Sequence, residues 1–178
     1  MPTPSSHRRT QPRRDRFQDL RTPEALVVSV LRLWTEPLRA PDEQHPRWQD
    51  GLTAAGLSND AAVAFDTLMR IAIAATTRAL DIHRPPCPAL GSDEALLLDM
   101  LRLAQQGRHG EAGLLMSDWL PLAGVRMAMA PLCILATALA QAGLRLPEPA
   151  VLHPAGPMDT DRMGMVRPTA DRGATLLH

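Results

Sequence analysis

Residues 58–80 read SNDAAVAFDTLMRIAIAATTRAL, and the spacing of their apolar side chains decides the fold class. Phe65, Leu68, Met69, Ala72, Ala75, Thr76 and Ala79 recur three and four apart, the period of an α-helix, and Ile71 and Ile73 widen the apolar arc. So wide an arc predicts a central helix over about 58–80. Ser58-Asn59-Asp60 opens it with side chains that satisfy the free amides of a first turn.

The same reading extends outward. Before this helix, 46–56 carries Trp48, Leu52 and Ala55 on one side and closes at Gly56, which predicts a short helix. Further back, Thr22-Pro23-Glu24 places a capping hydroxyl, a proline suited to the first turn and an acid that answers the helix dipole. Val27, Val30, Leu31 and Trp34 form its stripe, and Pro37 is expected to end it near Thr35. Downstream, three prolines in four positions exclude helix from 83–91 (HRPPCPALG). Ser92 then caps a fourth helix to about Gln106, with Leu96, Leu97, Met100, Leu101 and Ala104 inward and Gly107 as its terminating glycine. A short fifth helix is expected over 110–119. A last one carries Leu132, Leu135, Ala136, Leu139 and Ala142 to Gly143, with Pro131 in its first turn. No segment alternates apolar and polar residues between turn signals, so no strand is predicted. The expected fold is all-α: a compact bundle of five to six mostly antiparallel helices over 22–146, between disordered tails at 1–21 and 147–178.

Composition bounds the function. The 178 residues fit one domain, and 19 basic residues balance 19 acidic ones. All the basic residues are Arg; Lys and Tyr are absent, which reads as coding bias. Six Arg lie in residues 1–21, but 22–146 holds 10 Arg against 13 acids, and no predicted helix shows a basic face. Nucleic acid is therefore not the expected partner. Arg13-Arg14-Asp15-Arg16-Phe17 has an export-like look, yet the apolar run that should follow, Ala25 to Leu31, is only seven residues long before Arg32, and acids stand where a leader avoids them. No stretch is expected to span a bilayer. Two cysteines make no disulfide framework, so a reducing bacterial cytoplasm is the expected compartment.

Two places could carry chemistry. The loop 83–94 brings His83, Cys87, Asp93 and Glu94 to a helix N-terminus, where partial positive charge favours anions and thiolates. A metal- or thiol-dependent site is one reading; helix capping by Ser92 with Asp93 and Glu94 answering the dipole is the other. The loop lacks C-x-x-C and H-x-x-x-H spacing, and the residues call for no cofactor or metal. The run 125–130 is the second place: Val125, Met127 and Met129 are more apolar than a surface loop should be, so they either fill the core or cover a partner. Leu101-x-Leu103-Ala104-x-x-Gly107-x-x-x-Glu111-Ala112, echoed at Ala54–Ala61, suits any tight helical hairpin. A tetratricopeptide-like scaffold is an alternative reading, although the copies lie 51 residues apart rather than about 34. No hydrolase, phosphate-loop or metalloprotease motif is present, so catalysis is not expected.

The Cys/Pro loop, the Gly-x-Asp-Glu that opens the next helix and the Gly-Arg-x-x-Glu-Ala turn resemble a family of short uncharacterised proteobacterial helical proteins over residues 83–120. Such relatives carry a second Cys two residues after the first, where Ala89 stands here. The resemblance implies an all-helical fold and no activity. The function expected from the sequence is a non-enzymatic interaction module that binds a protein partner or a second copy of itself.

Overall fold

The computed structural model describes residues 16–76 and 78–148. Among the described residues the chain forms six helices and no strand: α1 (Thr22–Arg39), α2 (Trp48–Ala54), α3 (Asn59–Ala75), α4 (Ser92–Gln105), α5 (His109–Met116) and α6 (Leu122–Gln141), preceded by one 3-10 turn at Phe17–Asp19. The all-α bundle follows the sequence periodicity. Phe65, Leu68, Met69 and Ala72 of α3 are buried with Leu97, Met100 and Leu101 of α4 and Leu132, Leu135 and Leu139 of α6.

Contacts at the helix ends give the directions. Ala75, the last residue of α3, packs beside Gly124 in the first turn of α6. At the other end Ser58, Asp60 and Ala61 share a groove with Thr137, Ala138 and Gln141, so α3 and α6 run antiparallel. α4 and α6 run in the same sense. The Trp119 indole, just before α6, donates to Asp93 in the first turn of α4, and Gln105 at the end of α4 donates to the carbonyls of Ala136 and Leu144. The short α5 is the return between them, which adds one same-sense pair to a bundle expected to be mostly antiparallel.

The element boundaries differ from expectation where tertiary bonds outweigh propensity. α3 stops at Ala75, so Ala79 is exposed and off its stripe. From Arg78 the backbone passes the start of α4, where Asp93 and Glu94 accept the amides of Asp81 and His83. α1 continues through Pro37 to Arg39, because Arg39 reaches the carbonyls of Ile82 and His83 and holds the last turn in place. Pro131 is not a first-turn proline: it lies mid-way along α6 and is buried. Ser92 is the first residue of α4 and not its cap. The cap is Gly91, whose amide is taken by Glu94 at 2.8 Å, and a Cβ there would collide with the Asp81 carbonyl oxygen.

One further expectation is corrected. Residues 16–21 belong to the folded unit: the Phe17 amide donates to Pro88 O at 2.8 Å and its ring lies 5.0 Å from the Arg32 guanidinium carbon. The rest of the expected tails, 1–15 and 149–178, lies outside the described residues. α6, at 20 residues with mean hydropathy 1.8, is long and apolar enough to cross a membrane by length and composition. Its Leu132–Leu135–Leu139 side is nevertheless buried against α3 and α4, the position of a bundle's core helix.

Candidate functional site

The 78–91 segment is built around two buried carboxylates in the first turn of α4. Asp93 accepts both terminal nitrogens of Arg78 at 2.7 Å, the Asp81 amide at 2.6 Å and the Trp119 indole at 2.8 Å. Burial pushes the Asp93 carboxyl up, but these donors outweigh it and hold the group below its ordinary value. Glu94, wholly buried, accepts Arg32 Nε at 2.7 Å and Nη2 at 2.8 Å in a two-pronged ion pair, together with the amides of His83 and Gly91.

Arg32 is the centre of the arrangement. It sits on the buried face of α1 at 1% exposure, beside Val28, Leu31 and Thr35. With its pair to Glu94 made, its remaining donors reach the loop carbonyls of Cys87 at 2.7 Å and Ala89 at 2.6 Å. One buried cation therefore ties α1, α4 and the proline loop together, and no buried side-chain polar atom among the described residues lacks a partner.

The four residues singled out in 83–94 therefore divide. Asp93 and Glu94 face inward and their oxygens are occupied by donors, which removes them as ligands for anything outside. His83 and Cys87 come together: the Cys87 Sγ lies 3.4 Å from His83 Nδ1, which also faces Ala89 O at 3.1 Å. The other ring nitrogen, Nε2, is 3.3 Å from Asp81 Oδ1. Asp81 in turn accepts the Ser92 amide at 2.7 Å and its hydroxyl at 3.0 Å, and the Ser92 amide bond above all holds its carboxyl below the ordinary value. Thiol and carboxylate thus bind opposite edges of one imidazole and do not converge on a point. Among the described residues no three His, Cys, Asp or Glu side chains are placed to hold a metal ion.

Asp81, Arg32 and Arg78 were not anticipated as parts of this site. A signal for Asp81 exists: in an extended segment residues 81 and 83 project to one side while Ile82, 7% exposed, turns to the core. The signal for Arg32 is a charge on a helix stripe that otherwise buries apolar residues.

A second thiol–imidazole contact joins Cys133 of α6 to His109 of α5 at 3.4 Å, and burial pushes that thiol up. The 125–130 run is split by its helix. Val125 and Ala128 are buried, Met129 packs its methyl against Gly113, and Met127 stands exposed. The hairpin glycines Gly56 and Gly107 take the left-handed conformation, φ +78 and +75, that the turn requires. The helices of 7 and 8 residues beside them are short for a stacked repeat. No family model matches the chain, and no curated protein or solved structure is similar to it, so the fold and the site are read from their own geometry.

Proposed function

We propose that the protein is a helical interaction module, an adaptor or small regulatory protein, whose working surface is the outer face of α6. The observation that carries this reading is the pair Met127 and Ile134, 64% and 51% exposed, seven residues apart on a helix whose opposite side is core. Ala123, Ala130 and Thr137 complete the stripe, so a partner helix can approach closely. The occupant argued for is a second copy. The stripe is nearly symmetrical about Ala130 and Pro131, so a two-fold axis there sets Met127 of one chain against Ile134 of the other. A formal net charge of zero adds no repulsion between copies.

The test is size-exclusion chromatography of the full chain and of Met127→Glu/Ile134→Glu. The expected result is a dimer that becomes monomeric with its helical circular dichroism unchanged. A wild-type chain that elutes as a monomer at all concentrations defeats the self-pairing, and capture of a foreign helix on the same face is then excluded or supported by cross-linking at position 134. Two free thiols support a reducing compartment, the bacterial cytoplasm, as the place of action.

A further inference from the structure

We infer that Asp81, His83 and Cys87 form a thiol-exchange site, in which Cys87 attacks one sulfur of a small disulfide and His83 carries the proton. This goes beyond the α6 interaction surface and does not depend on it. The order thiol, imidazole, carboxylate is the one that activates a nucleophile: a base within reach of the thiol and a third group that orients the base. Here the distances are 3.4 Å from Cys87 Sγ to His83 Nδ1 and 3.3 Å from His83 Nε2 to Asp81 Oδ1. Every polar neighbour of the ring accepts a hydrogen bond: Ala89 O, Asp81 Oδ1 and the sulfur itself.

Both ends of the pair are anchored on one buried ion pair. Glu94 takes the His83 amide at 3.0 Å and Arg32 donates to the Cys87 carbonyl at 2.7 Å, so the backbone that sets the sulfur–imidazole distance hangs from α4 and α1. The site is reachable: Cys87 is half-buried, Pro85, Pro86 and Pro88 around it are exposed, and Arg84 on the same turn is 62% exposed. Arg84 pairs only loosely with Glu36, at 4.0 Å, and its charge favours a disulfide that bears carboxylates.

The reaction balances without a cofactor. The Cys87 thiol gives its proton to His83. The thiolate displaces one half of the disulfide, breaking its S–S bond and forming Cys87–S–S–R. The leaving thiolate takes the proton from His83 and departs as a thiol, so Cys87 is oxidised and one half of the substrate reduced. The product is a mixed disulfide. Cys133 cannot resolve it, since it lies beside His109 at the far end of α4, about 20 Å away at the helical rise of 14 residues. A second thiol from solution must complete the cycle.

The test follows thionitrobenzoate release from dithiobis(nitrobenzoate), an anionic disulfide, by the full chain carrying Cys133→Ser, across pH 5 to 9. The expected rate at pH 7 is about tenfold or more above that of the same chain in urea. His83→Gln should remove the excess and move the pH profile to that of the urea-treated thiol. Asp81→Asn, on an exposed side chain, tests the positioning role and remains informative if His83→Gln fails to fold. It should slow the reaction and shift the profile in the same direction. Equal rates in native buffer and urea, or a fast Cys87 indifferent to both substitutions, would overturn the assignment. Mass spectrometry after oxidised glutathione should place one adduct on Cys87.

Discussion

Arg32 is the residue on which the proline loop depends. Its guanidinium is buried with Glu94 and its other bonds go to loop carbonyls, so removing it strands a buried carboxylate as well as the carbonyls of Cys87 and Ala89. Breaking one member of such a pair costs about 3–5 kcal/mol. Arg32→Leu is expected to lower the urea-derived stability by that amount, and a loss under 1 kcal/mol would show that the pair does not hold the loop. Asp93 and Asp81 make a second prediction at this scale, through pH. Both carboxyls lie below their ordinary value when folded, so the native state holds fewer protons than the unfolded chain in acid. Their contribution is complete above about pH 5 and is lost as the pH falls through the folded values. Thermal scans from pH 6 to 3 should show a falling melting temperature, with a shallower fall in Asp93→Asn. Identical slopes would contradict the role given to Asp93. At this scale the sequence was only half legible. His83 and Cys87 were visible as a four-residue spacing, but the two acids read equally well as ligands and as dipole partners. Only their position relative to Arg32 and Arg78, 62 and 15 residues away, separates the two readings.

Elements were legible wherever local physics and tertiary packing agree. The stripe of α3, the glycine end of α4 and the proline-forced loop follow from spacing and from backbone restrictions alone. Disagreement arose where a distant group intervened. α3 is cut at Ala75 because the amides beyond it bond to Asp93 and Glu94, and α6 absorbs Pro131 because Val125 and Ala128 before it and Leu132 and Leu135 after it are buried. The glycines offer a clean check of backbone against packing. Gly107 has φ +75, so Gly107→Ala forces a left-handed alanine and should cost about 1–2 kcal/mol. Gly110, inside α5 with open space where a Cβ would stand, should tolerate alanine and gain about 0.5–1 kcal/mol. Chemical denaturation of the two variants should move the midpoint in opposite directions; movement in the same direction would mean that α5 is not formed as described.

For the whole molecule, the fold class was legible because a chain with five aromatic residues and long Leu, Ala and Met stripes can bury its apolar surface economically only between helices. The role of α6 was less legible. Its sequence is apolar enough for a bilayer and also suits a core helix, and the deciding quantity is which side is covered. One side is buried in the bundle; on the other, Met127 and Ile134 face out. What meets that face decides the proposed role, and sedimentation equilibrium of the full chain tests self-pairing most directly. The expected result is reversible association to twice the 19.4 kDa chain mass, abolished by Met127→Glu/Ile134→Glu. A single species of 19.4 kDa at every concentration, in wild type and variant alike, would contradict it.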